Sequence, residues 1–532
     1  MLKKIASLVV ASVMTLSSFS VSSVLADSET GNDTETNAKV VAFPGAEGGG
    51  MYATGVRGAI ENNDKMEVYH VTNLNDSGSG SFRDAVSKDN RIIVFDVSGY
   101  VDLDTTVTIN KENITILGQT APGDGVCFRS NNIKVSGKNI ILRYVRFRVG
   151  DKLKNGDWTR TQDGLEVTDN TQNVIIDHCS VSWGTDENLS CYAVKDITIQ
   201  NSIIAESLNQ SIHDKGEHSY AAIWGGVNLS VHHNIIANHK SRNPKIGTSE
   251  TVAMTSGYKD SDTVVDIRNN IFYNWGDKAG YGAENDAGVN IINNWYKPGP
   301  ATPDNKKARI FEYSVGNKYQ KNWSGKVYAN GNHIDVDEND SEVAKEDAAR
   351  VNANNYQADT GVYPDPKYTD MTYTNLDKPI DTYINDYPIT TTSAEDAYNY
   401  VIENAGARLP KMDAIDERII DNIKNRTAPT GSKGSVGLVD SPVDGLTCLT
   451  DEQKANYDDR GYPVISEVNR TTDDTTFDAD GDGIADAWED KMGLDKTNPN
   501  DSLNIGPNGY TWLEIYAETI GKDDATLPAP SW

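Results

Sequence analysis

Along most of the chain, apolar and polar residues alternate in short runs that stop at small polar residues and then resume. The clearest runs are Val174–Val181, Ile197–Ile204, Leu229–Ile236 and Val265–Phe272, continued by Asn290–Trp295 and Val327–Asn332. Period-two alternation predicts β-strands. With Cys179, Ser202, Asn234, Asn270, Asn294 and Asn332 taken as equivalent, the spacings are 23, 32, 36, 24 and 38 residues. A floor near 23 with variable excess predicts a solenoid: each coil has a fixed circumference, and insertions lie in loops on one face. Short strands with a polar corner fit an all-β parallel β-helix. Asn tolerates left-handed backbone at such a corner, and its side chain can hydrogen-bond the Asn of the next coil. Ile92–Phe95, Ile114–Leu117, Ile133–Val135 and Ile140–Val145 continue the pattern less tidily. A β-propeller, the alternative, would show a steadier period of about 40–45 residues.

After about residue 335 the pattern changes. Residues 341–390 are polar and rich in Tyr, Asp and Asn, and predict long loops wrapping the solenoid. Ser393-Ala394-Glu395-Asp396 resembles a capping box before an apolar helical run to Ile402, and Asp413 caps a second helix with Ile415, Ile419, Ile420 and Ile423 on one face. Short helices of this kind are expected to cap the solenoid. Residues 27–440 are read as the β-helix with its wrapping segment, 441–475 as a linker and 476–532 as a small C-terminal segment. Residues 1–26 carry Lys3 and Lys4, an apolar Ser-dotted run and Val24-Leu25-Ala26, which predicts a signal peptide, cleavage near Ala26 and a secreted protein. No later run reaches the roughly 18–20 apolar residues of a membrane span. Cys127, Cys179, Cys191 and Cys448 match no zinc spacing and read as small hydrophobes. A monomer is expected.

A net charge of −29 argues against a general nucleic-acid or anionic-membrane binder. What matters is where the acids gather, and two constellations stand out. Asp478-Ala479-Asp480-Gly481-Asp482, followed by Asp486 and Glu489, places hard oxygens at alternating positions bent by glycines, a spacing suited to Ca²⁺. Glu489 sits one position short of the usual EF-hand Glu, and the run resembles calcium loops of the thrombospondin type 3 and dockerin kind. In the repeats, Asp163 and Asp186 are 23 residues apart, one minimal coil, so they would stack about 4.8 Å apart. Two stacked carboxylates share a proton or hold a cation. Further along, Lys240-Ser241-Arg242-Asn243-Pro244-Lys245 is a basic cluster in an acidic protein. Acids and bases on one face suggest a groove for an anionic chain bridged by a cation.

Phe43-Pro44-Gly45-Ala46-Glu47-Gly48-Gly49-Gly50, Gly80-Ser81-Phe82-Arg83-Asp84-Ala85-Val86 and Ile175-Ile176-Asp177-His178-Cys179-Ser180 resemble family 1 polysaccharide lyases, the pectate lyases, and in particular their secreted bacterial members. The resemblance covers most of residues 40–430. It implies a right-handed parallel β-helix and calcium-assisted β-elimination on α-1,4-linked polygalacturonate, with an Arg removing the C5 proton to leave a 4,5-unsaturated sugar. By its motifs Asp163 and Asp186 match calcium ligands, and Arg242 matches the base. Ser190 stands where another acid is expected, with Glu187 as its substitute. Gly247 stands where a second Arg is expected, with Lys245 as its substitute. Asn209 stands where a lysine is expected, with Lys215 as its substitute. His218 and Trp183 are further candidate substrate contacts, and Arg143, Arg146 and Arg148 share a strand face that could line the groove. An Arg base requires neighbouring positive charge and burial to favour its neutral form.

Two other classes remain open. A β-helix glycoside hydrolase would need closely paired acids, for which Asp186-Glu187 is the only match on this coil. A non-catalytic polysaccharide-binding solenoid would make the meeting of Arg242 with Asp163 and Asp186 coincidental.

Overall fold

The computed structural model describes residues 39–522, apart from 169, 248–261, 284–285, 315–323, 368–371 and 381–385. The signal peptide and its cleavage site lie outside the described residues. From Val40 onward the chain forms one compact unit. Among the described residues no helix is long and apolar enough to cross a membrane.

The unit is a parallel β-helix with three strand faces. On the first, Glu67–Val71, Arg91–Phe95, Glu112–Leu117, Lys138–Arg143 and Gln172–Asp177 begin a parallel stack that continues through the later parts of Leu189–Gln200 and Ile223–His232 to Thr372–Asn375. The second runs from Val107–Ile109 through Ile133–Val135, Leu165–Val167, Lys245–Ile246 and Gly280–Gly282 to Gly361–Pro364. The third runs from Val97–Asp102 to His333–Ile334. Inward side chains such as Ile116, Leu142, Ile176, Ile199, Val231, Ile267 and Ile291 fill the bore.

The corner found by the repeat alignment is a hydrogen-bonded ladder. Cys179 N donates to Ser202 Oγ at 3.0 Å and Ser202 N to Asn234 Oδ1 at 2.8 Å. Asn234, Asn270 and Asn294 each donate backbone N and side-chain Nδ2 to the Oδ1 of the next rung at 2.9–3.0 Å. Asn332 extends the ladder to Asn355, a rung outside the aligned repeats. The left-handed residue is the one before each rung: His178, Asn201, His233, Asn269, Asn293 and Gly331 all have positive φ. A second ladder, Asn90–Asn113–Asn139–Asn173, lies on another corner.

Several expectations outside the coils are corrected. Residues 341–390 are not all loop: Ser341 caps a helix over Glu342–Ala353, whose Ala348 and Val351 close the end of the bore, and two further strands extend the coils. The two anticipated helices, Ala394–Asn404 and Ala414–Asn425, are capped by Ser393 and Asp413 as expected. They pack on the flank of the third face against Ile203, Ile235, Ile271 and Tyr273, where their apolar stripes meet outward-facing aliphatics, and do not cover the end. Residues 441–475 are not a free linker. Tyr462 is buried and its hydroxyl donates to Arg148 O at 2.9 Å, while Val468–Asn469 pairs antiparallel with the first strand of the third face. The opening Gly-rich run lies flat on the first face: a Cβ on Gly49 would stand 2.0 Å from Asn228 O, so only glycine fits.

Candidate active site

Three consecutive turns between the third and second faces are held in register by the backbone. Gly164 N donates to Glu187 O at 3.0 Å, and Leu165 N to Asn188 O at 2.8 Å. Parallel bridges join Glu187 to Tyr220 and Tyr220 to Ser241. This stitching brings Asp163, Asp186, Glu187, Tyr220 and Arg242 to one place. Carboxylate oxygens of Asp163, Asp186 and Glu187 lie within 4.8 Å of one another. Burial, then the Asp186 and Glu166 carboxylates, push the Asp163 carboxyl well above the usual range. Ser190 is buried and hydrogen-bonds Asp163, so it supports the acid pair without adding a charge.

Arg242 adopts a left-handed backbone, φ 56°, which turns its side chain back over the preceding coil. Its Nη1 donates to Glu187 Oε1, and its guanidinium carbon lies 4.1 Å from the centre of the Tyr220 ring. Behind it, buried His239 links Asn188 and Asn243 through its two ring nitrogens, at 2.9 and 3.1 Å.

The excess of the 32-residue coil forms a wall. His213 and His218 stack with ring centres 3.3 Å apart, and their Nε2 atoms lie 3.4 and 3.7 Å from the Asp186 oxygens. The Lys215 side chain is on the exposed tip of that loop, and its backbone N–H donates to His213 Nδ1. Lys245 is half-buried on its strand, in register with Ile223 and Tyr281.

Register also exposes a row that sequence reading missed. Thr108, Lys134, Glu166 and Ser190 stand side by side on successive coils, and so do Ile223, Lys245, Tyr281, Glu312 and Tyr363. Ile223 N–H donates to Ser190 Oγ and joins the two sets. Their strand neighbours, such as Val107, Leu165 and Ile246, point into the bore, so this row faces outward beside the acid cluster; Lys134, Glu166, Lys245 and Tyr281 are half-buried there, and Ser190, Glu312 and Tyr363 are covered. Lys278 pairs with Glu312 beside it. Coil lengths vary too much for this row to be seen by counting.

Two expectations fail here. Trp183 is 1% exposed; its ring packs edge-on against Tyr462, and its Nε1 donates to Glu206 at 3.2 Å. It is a core residue and no sugar platform. Trp158, 62% exposed on the loop leading to Asp163, is the solvent-facing tryptophan of this region. Arg143, Arg146 and Arg148 neither share a strand nor line the groove: Arg143 ends one strand and pairs with Asp177 and Glu518, while on the next strand Arg148 pairs with Asp413 and Asp416 and Arg146 donates to Ala407 O, so the latter two hold the flanking helix. Asp177 and His178 are structural. Burial works against the charge on Asp177, yet His178 and Arg143 hold it below the usual carboxylate range.

The C-terminal loop also differs from its expected ligand set. Asp478, Asp480 and Asp482 converge, and Asp482 converges in turn with Glu489 and Asp501. Asp486 instead begins a helix, and its Oδ1 accepts from Ala479 N at 2.8 Å. Asp501 takes the place expected of it, twelve residues beyond Glu489 and outside the motif. Burial and neighbouring carboxylates push Asp480 up to about 6, Asp482 to about 7 and Glu489 to about 8.

No family model matches the chain. Among solved structures, the cedar-pollen allergen jun a 1 aligns with 14% identity over 68% of this chain and 92% of that one, TM-score 0.45. Probable pectate lyase C of Aspergillus flavus is 32% identical over 492 residues, covering 90% of this chain and 94% of that protein. Probable pectate lyase C of Emericella nidulans is 34% identical over 488 residues, covering 90% and 93%. These relatives are fungal, whereas the sequence motifs pointed to bacterial members. With about a third of positions identical over nine-tenths of its length, the chain belongs to the pectate lyases, which are polysaccharide lyases.

Proposed function

We propose that the chain cleaves α-1,4-linked polygalacturonate by β-elimination at Asp163, Asp186, Glu187 and Arg242. The observation that carries this reading is the placement of the Arg242 guanidinium against a cluster of three acids on an open face. Hydrolysis is less well served: it needs two carboxyls acting on opposite sides of a sugar, and here Glu187 is engaged by Arg242.

The donor set suits Ca²⁺. It is all oxygen, it gathers negative charge that raises the Asp163 carboxyl, and hard cations take such ligands. Asp163, Asp186 and Glu187 would hold the ion, which would bind the sugar carboxylate and stabilise the negative charge that builds there on loss of the C5 proton. Arg242 Nη, in the neutral form left when its guanidinium gives a proton to solvent, takes that proton; the C5–H electrons form the C4–C5 double bond as the C4–O bond breaks, and the C4–O pair leaves on the departing sugar oxygen, which is protonated from solvent. The guanidinium is freed to face the sugar when Glu187 turns toward Asp163 and Asp186, whose oxygens it already approaches. Tyr220 keeps the guanidinium plane in position during that exchange. The outer row, with Lys134, Lys245 and Tyr281, offers cationic and hydroxyl contacts for neighbouring sugars.

The test is polygalacturonate with calcium or with chelator, followed by the ultraviolet absorbance of the unsaturated product. Calcium-dependent absorbance supports the proposal. New reducing ends without absorbance would mean hydrolysis, and neither signal would mean a binding solenoid. The chain's secretion, through removal of residues 1–26, is part of the same proposal and is checked by N-terminal sequencing of exported protein.

A further inference from the structure

The C-terminal carboxylates form clusters that share no residue with the acids of the active face, and their surroundings differ. Glu489 and Asp482 are 0% and 1% exposed. Both oxygens of Glu489, both of Asp480, Asp482 Oδ2 and Asp501 Oδ1 are buried and accept no hydrogen bond. Burying one unpartnered carboxylate is costly, and burying several against one another is more so. Their remaining oxygens are used to shape the loop: Asp478 accepts from Gly481, Asp482 and Gly483, and Asp482 Oδ1 from Ile484 N at 2.9 Å. The loop is thus folded so that its free oxygens point at one another.

The same segment carries an apolar face. Ile484, Trp488, Leu513 and Ile515 pack on Val56, Ile92, Val94 and Leu117 of the first coils. His70 Nε2 lies 3.1 Å from Gly481 O, and Arg57 pairs with buried Glu514 at 3.0 Å.

We infer that Asp480, Asp482, Glu489 and Asp501, with Asp478 shaping the loop, form a structural calcium site that clamps the end of the chain onto the first coils of the β-helix. All donors are carboxylate oxygens, from the loop at Asp480 and Asp482, the helix at Glu489 and the following turn at Asp501, the donor type that favours Ca²⁺ over softer ions. Asp501 closes the site from outside the motif and Asp486 takes no part in it. The inference does not depend on the proposed chemistry.

Calcium titration of the full-length, chelator-treated protein by calorimetry tests it. Glu489→Gln with Asp501→Asn should lose one calcium per chain relative to the unaltered protein, Asp486→Asn should lose none, and Asp163→Asn with Asp186→Asn should keep this site. Hydrogen exchange on the unaltered protein gives a readout independent of any variant's folding: calcium should slow amides of residues 482–501 at least tenfold. Unchanged stoichiometry in the first variant, or no calcium-dependent protection of 482–501, would overturn the inference.

Discussion

At the scale of single residues, the active face depends on which partner Glu187 serves. Arg242→Ala should lower product formation by roughly 10²–10⁴-fold, the usual contribution of a positioned base, with an unchanged melting temperature. Near-normal turnover would remove Arg242 from that role. Trp183→Phe is the complementary case. Its ring is in the core and its Nε1 serves Glu206, so the change should cost about 1–3 kcal/mol of stability in denaturant unfolding and leave KM unaltered. A raised KM at unchanged stability would restore Trp183 to the groove. Residue by residue, sequence reading worked where the spacing was one minimal coil. Asp163 and Asp186 converge as expected, but the strand register there is 24 residues, Leu165 to Leu189, so Glu187 rather than Asp186 lies in line with Asp163 and donates its N–H to it; Arg242 arrives beside them. It failed at Trp183 because an aromatic near a functional motif looks the same on paper whether it faces inward or out.

At the scale of elements, the asparagine ladder is what keeps coils of unequal length in register. Asn270 sits mid-ladder: Oδ1 accepts from Asn234 N and Nδ2, while Nδ2 donates to Val231 O and Asn294 Oδ1. Asn270→Ala leaves several of these buried groups unpaired and should cost on the order of 3–5 kcal/mol, at about 1–3 kcal/mol for each stranded group, measured by urea unfolding. A change below about 1 kcal/mol would show that the corner is held by backbone alone. This corner was legible because its polar residues interrupt apolar runs at every coil. The second-face row was not, because its strands are two to five residues long and the loops between them absorb the length differences. The helices were legible from their caps, yet where they dock was not. Arg148, which anchors one of them through Asp413 and Asp416, reads in sequence as one more groove cation.

At the scale of the whole molecule, acid should loosen the solenoid. Burial, with the neighbouring Arg268 charge, holds His233 down to about 4, and burial holds His239 to about 3; His232 is lowered in the same way. Unfolded imidazoles take up protons near pH 6.5 and these folded ones do not, so the unfolded chain binds more protons below that pH and gains stability as pH falls. The melting temperature should therefore drop between pH 7 and 5, less steeply in a His233→Asn, His239→Asn variant. An equal slope in both would assign the acid sensitivity elsewhere.

An open solenoid is a line: each coil touches only its neighbours, and the ends can fray one coil at a time. Here Glu514 reaches back to Arg57, Gly509 lies against Val40, and Trp488 sits over the first coils. The contact map is closed into a loop, so loosening the last segment strips cover from the earliest strands. Melting should then be one concerted transition across a repeat architecture that would otherwise melt in stages. The outer face of Ile92 and Val94, covered by residues from Phe477 onward, also stays bare during synthesis until the end of the chain has emerged, which makes the last part of the chain the condition for completing the first.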